Sequence, residues 1–183
     1  MAAGWMVFAL VYLDRVSAGG RLVDLGLFLF VTLTAALFLV RHHARRTGTL
    51  WEALVAFAGT FLPMFVLSPV PGAVPGVGEA IQVIGLAGMI AAMISLAGSF
   101  GITPTDRGLR TTGLYRFVRH PLYAAELCFI SGYLLANLSW RNFIGLIAIA
   151  AIQIVRIARE ERILDGYAGY AEQVRYRLVP FVW

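Results

Sequence analysis

The sequence has few charged residues and contains no lysine. Of its 183 residues, 14% are charged and 60% are hydrophobic, whereas a soluble domain usually carries about 25% charged residues. The mean hydropathy is correspondingly high, at +0.78. This composition excludes an ordinary soluble domain and predicts an integral membrane protein whose surface largely faces lipid.

The missing lysine also bears on the partners of the protein. All fifteen basic residues are arginine, and the formal net charge is +5. Such arginine usage is typical of a GC-rich genome, so the charge is no evidence for nucleic acid, and we expect no nucleic-acid partner. In a membrane protein, arginines collect in cytoplasmic loops and near anionic lipids.

A single cysteine excludes a disulfide bond within the chain. Cys128 lies in an apolar run, where a small packing residue is the simplest interpretation, and a catalytic thiol would need an electropositive, accessible setting. The adjacent histidines His42 and His43 point to different faces of a helix and have no partner cluster nearby. We therefore predict a solvated loop there and no metal site.

Five apolar segments predict an all-α fold, a polytopic membrane protein with about five transmembrane helices. The first has 18 residues, which at about 1.5 Å per residue reach roughly 27 Å, close to the thickness of the hydrocarbon core. A short polar turn separates the last two segments, which predicts a helical hairpin followed by a cytoplasmic helical tail. The segments are residues 23–40, 50–67, 80–100, 122–138 and 143–155.

Residues 1–13 are apolar but too short to span a bilayer, so they predict a short helix that lies on the membrane or partly enters it. Arginines concentrate in residues 41–46, 107–119 and 156–177, which all fall on one side if there are five spans. The positive-inside rule then places the amino terminus outside and the carboxyl terminus in the cytoplasm, and we expect a bacterial inner membrane. The Pro- and Gly-rich residues 68–78 predict an outside loop.

The third apolar segment carries small residues at every fourth position, among them Gly88 and Ala92, and such stripes let helices pack closely. This predicts a scaffold role, with packing either within the chain or between chains, and it leaves the oligomeric state open. We predict a division of the chain into transmembrane scaffold helices, residues 1–104, and a core that carries the candidate site, residues 105–183.

The polar segment 113–123 stands at the mouth of an apolar span. Gly113 lets the backbone approach a ligand closely, and Pro121 suits the first turn of a helix. The helix that begins there points free N–H groups and a partial positive charge towards the cytoplasm. These features suit a ligand with a carboxylate or phosphate, and an amino group on that ligand could meet Glu160 or Glu161.

Other charged residues lie at or inside the membrane boundary. Arg156 and Glu160 are four residues apart and share a helix face, whereas Glu161 is turned away by about 100°. A surface ion pair, worth about 0.3–0.5 kcal/mol, is one interpretation of that spacing. Glu126 lies within the fourth span, where a carboxylate usually faces a partner or a cavity. Its partner could be Arg119 or Arg156, and both a structural and a ligand-binding role stay open.

Two groups of residues occur in a fixed order in the carboxyl-terminal half. The first is Gly113-Leu114-Tyr115 followed by Val118-Arg119-His120-Pro121-Leu122-Tyr123. The second is Arg156, Glu160-Glu161, Leu164, Tyr167, Tyr170 and the ending 174–180. Together they resemble the isoprenylcysteine carboxyl methyltransferase family, which is related to membrane phospholipid methyltransferases. The resemblance covers about residues 105–183. It implies S-adenosylmethionine (SAM) bound on the cytoplasmic side, between the entry of the fourth span and the tail.

The resemblance also implies roles for individual residues. It places cofactor-binding residues in the Gly-x-Tyr turn, the Arg-His-Pro element and the glutamate pair: Thr112, Gly113, Leu114, Tyr115, His120, Pro121, Tyr123, and Glu160 or Glu161. It assigns Arg156 to the substrate, and we add Arg119 and Glu126 as candidate catalytic residues. Glu126 departs from the pattern of eukaryotic members, which carry an apolar or aromatic residue there, so it is a candidate for substrate choice.

We therefore predict a SAM-dependent membrane methyltransferase whose acceptor is lipophilic, such as an isoprenylcysteine-type carboxylate, with membrane lipids around it. Methyl transfer from a sulfonium mainly requires alignment, which suits a site without a catalytic triad. Arg156 could hold an anionic acceptor, whereas an amine would need a base, for which Glu126 is the candidate. Two alternatives stay open. One is an NADPH-dependent membrane reductase, because sterol reductases share a similar Arg-His-Pro-x-Tyr-x-x-Glu run. The other is a non-enzymatic membrane protein.

Overall fold

The computed structural model describes residues 2–70, 76–180 and 182, and it is mostly helical. Seven α-helices follow one another in the described residues: α1 (Ala2–Ser17), α2 (Leu22–Val40), α3 (Leu50–Val66), α4 (Gly76–Leu96), α5 (Pro121–Ala136), α6 (Trp140–Ile163) and α7 (Tyr167–Gln173). Two 3₁₀ turns lie at Ala97–Ser99 and Gly113–Arg116. The helical class is confirmed, with one addition: strands β1 (Arg46–Thr47) and β2 (Thr105–Asp106) pair antiparallel, because loop backbone groups need hydrogen-bond partners.

Three helices of the described chain are long and apolar enough to cross a membrane: α2, α4 with its 3₁₀ extension to Ser99, and α6. Helices α3 and α5 are apolar but shorter, with 17 and 16 residues. At about 1.5 Å per residue, they fall a little short of a hydrocarbon core of roughly 30 Å. Five spans therefore stay a prediction. The helical hairpin of the last two spans also stays a prediction, because α5 packs chiefly against α4 and α6 packs chiefly against α3.

The arginine-rich segments meet at one end of the helix bundle. Strands β1 and β2 join the loop after α2 to the loop after α4. Arg46 forms an ion pair of 3.0 Å with Asp165, just beyond the end of α6. We call the end of the bundle that contains β1, β2 and the Arg46–Asp165 ion pair the arginine end. The side of the membrane that it faces stays a prediction.

Helix α1 runs back along α2. A short turn after Ser17 reverses the chain, and Ala2 and Trp5 pack near Phe38 and Phe100, at the arginine end. The described start of the chain thus lies beside the arginines, whereas the sequence predicted the amino terminus at the opposite end. The difference arises because two apolar helices pair antiparallel through a tight turn, and a short apolar run by itself does not reveal that pairing.

Glycines let α4 and α5 pack backbone against backbone. A Cβ atom at Gly78 would lie 2.5 Å from the backbone nitrogen of Ala136, and one at Gly85 would lie 2.5 Å from that of Phe129. Such distances leave no room for a side chain. Gly88, from the predicted small-residue stripe, also faces α5. These glycines therefore pack within the chain, and they fix the position from which α5 begins.

The carboxyl-terminal tail is held against the start of α5. The backbone N–H groups of Arg119 and His120 donate to the carbonyl oxygens of Tyr176 and Arg177, both at 2.9 Å. On α7, the Tyr170 hydroxyl donates at 2.6 Å to a carbonyl oxygen of the 3₁₀ turn in the polar segment. The tail and the polar segment are therefore one structural unit.

The opposite end of the bundle is formed by the end of α3 and the turn between α5 and α6. The backbone N–H of Ser68 donates to the Asn142 side chain at 2.9 Å, and the Asn142 amide donates back to the Ser68 carbonyl at 2.9 Å. The predicted outside loop, residues 68–78, begins here, but its residues 71–75 lie outside the described residues.

Candidate functional site

Six helices, α1 to α6, enclose a cavity of about 210 Å³. Its polar part is formed by Tyr115, His120, Tyr123, Glu126, Arg156 and Glu160. Its apolar part is formed by Leu27, Phe30, Met89, Phe129 and Ile130. Because Phe129 lies nearly two helical turns beyond Tyr123 on α5, the cavity changes from polar to apolar along the bundle axis. The cavity therefore suits a ligand with a polar end and an apolar body.

Two adjacent glutamates of α6 face different surroundings. Glu160 lines the cavity and accepts a hydrogen bond of 2.9 Å from the Tyr123 hydroxyl. Glu161 is turned towards the tail, where Arg177 donates to it at 2.9 and 3.0 Å and the Tyr167 hydroxyl donates at 2.7 Å. The sequence predicted the angle between the two carboxylates, and the structure shows that Glu160 is the one in the cavity wall.

His120 connects the cavity to this network. It is 4% exposed and stands immediately before Pro121, the first residue of α5, where proline removes no helical hydrogen bond. Its Nε2 lies 3.3 Å from Oε1 of Glu161 and 3.2 Å from the Tyr167 hydroxyl. Arg119 lies 3.6 Å from the same carboxylate oxygen. Glu161 therefore holds the imidazole ring and the tail in place.

A buried chain of hydrogen bonds links α5 to α6 in the cavity wall. Arg156 is 7% exposed, its Nη1 donates to Gln153 at 3.0 Å, and the Gln153 amide donates to Glu126. The Arg156 guanidinium also lies over the Tyr123 ring, 4.9 Å from its centre. This burial excludes an exposed surface ion pair at Arg156. Gln153 connects Glu126 to Arg156, whereas Arg119 pairs with a different carboxylate.

The Gly-x-Tyr turn packs onto α4. Gly113 has a φ of +62°, and a Cβ atom there would collide with the Ser95 hydroxyl, which accepts a hydrogen bond of 3.3 Å from the Leu114 N–H. The turn thus orients Tyr115 towards the cavity. Five predicted residues line neither this cavity nor the smaller one next to it: Thr112, Gly113, Leu114, Pro121 and Glu161.

A smaller cavity of about 40 Å³ adjoins the first and shares Tyr115, His120 and Glu160 with it. Its other polar walls come from Ser99, Thr105, Arg107, Arg110, Arg119, Tyr167 and Tyr170. Burial raises the pKa of Tyr170 to about 12. Burial, and then the nearby Glu160, raise the pKa of Tyr115 well above its usual range. Both phenols are therefore neutral at physiological pH.

Several residues that line the cavities were not predicted from the sequence. Trp5, Thr34 and Thr60 contribute to the larger cavity, and Arg110 to the smaller one. A threonine in an apolar helix usually bonds to the carbonyl four residues earlier, as Thr34 and Thr60 do, so it carries no signal of a site. Both sequence halves line the larger cavity, and the division at residue 104 stays a prediction.

The fold and the site define an integral membrane protein with an internal cavity that has a polar and an apolar part. The chain matches the model of the phospholipid methyltransferase family over residues 77–169, just over half of its length. It therefore belongs to this family, within the isoprenylcysteine carboxyl and phospholipid group of membrane methyltransferases. The matched range includes all six residues of the polar part of the cavity. Among curated proteins, none matches the chain in a sequence comparison.

Proposed function

We propose that the protein is a SAM-dependent methyltransferase that acts on a lipophilic acceptor at the cytoplasmic membrane face. The supporting observation is a single cavity with a polar part near the arginine end and an apolar part deeper in the bundle. The positive-inside rule assigns the arginine end to the cytoplasm. We place the protein in a bacterial inner membrane, with its carboxyl terminus in the cytoplasm.

The residues of the polar part fit SAM. The ammonium group of SAM needs an acceptor, which Glu160 provides, and Tyr123 fixes that carboxylate. Tyr115 and His120 offer aromatic and hydrogen-bonding surface to the rest of the cofactor. The Nε of Arg156 is buried and has no hydrogen-bond partner among the described residues, so polar capacity is left for a ligand. When bound, SAM supplies a methyl group already activated on a sulfonium.

The main task of the site is therefore orientation, which can contribute about 7–11 kcal/mol to lowering a barrier. We propose that Arg156 and Glu126 meet the reacting end of the acceptor. An isoprenylcysteine-type carboxylate is our first choice, since Arg156 can hold it and it needs no base. An acceptor that must lose a proton would use Glu126, which Gln153 holds in place. Phe30 and its apolar neighbours would then surround the hydrocarbon part.

Direct binding tests the cofactor assignment. Calorimetry on the purified protein in detergent should show binding of SAM and of its demethylated product, and no binding of NADPH. Glu160→Gln should weaken SAM binding about 10- to 100-fold, the effect of losing a charged hydrogen bond. Glu172→Gln, at an exposed position of α7, is the matched control and should bind normally. Binding of NADPH without a response to SAM would instead favour a membrane reductase.

Transfer of a labelled methyl group tests the acceptor. The panel should contain prenylcysteines, phospholipids, thiols and quinone-like lipids. For a carboxylate acceptor, Arg156→Gln should reduce turnover strongly, and Glu126→Gln should have a small effect. The reverse order would indicate an acceptor that loses a proton. A Glu126→Gln variant that keeps full activity with every acceptor would show that Glu126 has a structural role.

A further inference from the structure

The smaller cavity carries an excess of positive charge. Arg107, Arg110 and Arg119 line it, whereas Glu160 is the one carboxylate in its described wall. Burial, and then the neighbouring Arg41, lower the pKa of Arg107 below its usual range. Arg119 already lies 3.6 Å from Glu161, outside the cavity wall, so an anionic ligand would chiefly offset the charges of Arg107 and Arg110.

The guanidinium groups also have unused hydrogen-bonding capacity. The Nε atoms of Arg107 and Arg119 are buried and have no hydrogen-bond partner among the described residues. The Nε of Arg110 donates to the neutral Ser99 hydroxyl at 3.2 Å. In the described part of the chain, neither Arg107 nor Arg110 forms an ion pair with a carboxylate. The positive charge of Arg110 is therefore available to a ligand.

The size and position of this cavity restrict what the anion can be. Its volume of about 40 Å³ accommodates a carboxylate but not an adenine ring. It shares Glu160 with the larger cavity, so a cation held by Glu160 would lie at the boundary between the two. In an amino acid, the ammonium and the carboxylate are attached to the same carbon atom. A ligand whose ammonium meets Glu160 can therefore place its carboxylate among the arginines.

We propose that Arg110, together with Arg119, binds the carboxylate of the amino-acid part of SAM in the smaller cavity. This inference rests on the proposed function. It gives Arg119 a binding role in place of the catalytic one expected from the sequence. Arg110 is the better residue to test, because Arg119 also holds the tail through the carbonyl of Arg175.

The test compares ligands with and without the amino-acid part. SAM and S-adenosylhomocysteine contain it, whereas 5′-methylthioadenosine keeps the nucleoside and the thioether but lacks it. Calorimetry should show that Arg110→Gln weakens the binding of SAM and S-adenosylhomocysteine about 10- to 100-fold, which is the effect of losing a charged hydrogen bond. Binding of 5′-methylthioadenosine should stay within about twofold of the wild type, which also shows that the variant is folded. Arg110→Lys should restore part of the affinity.

Arg116→Gln is the matched control, because Arg116 is exposed on the same segment and lines neither described cavity. The inference is overturned if Arg110→Gln leaves SAM binding unchanged, or if it weakens the binding of 5′-methylthioadenosine as much as the binding of SAM. It is also overturned if Arg110→Gln weakens the binding of a short-chain phosphatidic acid but not that of SAM. The anion held by Arg110 would then be a phosphate of the acceptor. Failure of the proposed function looks different: the wild-type protein would bind neither SAM nor S-adenosylhomocysteine.

Discussion

Replacing Glu161 by alanine should release the carboxyl-terminal tail without removing a residue from the cavity wall. Arg177 donates to this carboxylate at 2.9 and 3.0 Å, and the Tyr167 hydroxyl donates at 2.7 Å. The Glu161 side chain is 13% exposed and that of Arg177 is 35% exposed, so the ion pair is largely removed from water. The hydrogen bond to Glu161 raises the pKa of Arg177, which agrees with a strong interaction.

The size of the effect follows from this burial. Breaking a buried ion pair costs about 3–5 kcal/mol, and the partial exposure of Arg177 reduces this to about 2–3 kcal/mol. Because every 1.4 kcal/mol corresponds to a factor of about ten, local opening of the tail should become roughly 30- to 140-fold more frequent.

Hydrogen–deuterium exchange measures this opening. The amides of Arg119 and His120 donate to carbonyl oxygens of the tail, so peptides that contain them should exchange faster in the Glu161→Ala variant. Glu160→Ala is the control, because this carboxylate faces the cavity. It should weaken cofactor binding and leave exchange unchanged. A Glu161→Ala protein with wild-type exchange that no longer binds SAM would refute the reasoning, because Glu161 would then be a cofactor ligand.

Further perturbations test the fold. Gly113→Ala should reduce the free energy of unfolding by about 1–3 kcal/mol and so lower the melting temperature in detergent. The reason is that Gly113 has a φ of +62° and the new Cβ would collide with Ser95. Gly166→Ala, with a φ of +75° and no atom within 4 Å of its Cβ, should cost less. Gly85→Ala should cost about 1–3 kcal/mol by forcing α4 away from α5, and an unchanged melting temperature would contradict that close packing. Stability should fall as the pH rises from about 10 to 12, because burial raises the pKa of Tyr170 from 10.0 to about 12 in the fold. Tyr170 contributes its full share to the free energy of unfolding below pH 10.0, and this share is lost as the pH rises through about 12. Tyr170→Phe should therefore make stability fall less steeply over this pH range.

The helical class and the candidate residues could be predicted because their signals are local. An apolar run of about 20 residues has few structures open to it in lipid, since each backbone group must be satisfied within the helix. The proline after His120 predicts a helix start, and α5 begins at Pro121. The angle between Glu160 and Glu161 follows from helix geometry alone.

Other features depend on long-range packing and could not be predicted. The sequence left Arg119 and Arg156 as possible partners of Glu126, and the connection through Gln153 requires α5 and α6 to lie side by side. The position of α1 depends on its antiparallel pairing with α2. That pairing brings Trp5 into the cavity wall and the described start of the chain to the arginine end.

A helical membrane protein, with a polar segment that begins one helix and a second polar face at the end of another, can be predicted from the sequence alone. These are properties of single helices, governed by hydrophobicity, helical periodicity and the chemistry of helix starts. Three features are visible only in the packed structure: which carboxylate lines the cavity, which one holds the tail, and that Arg110 and Arg119 border a small second cavity. Those assignments depend on how helices and tail pack against one another, and the residues brought together are far apart in the chain: Trp5 and Glu160, which line the same cavity, are 155 positions apart.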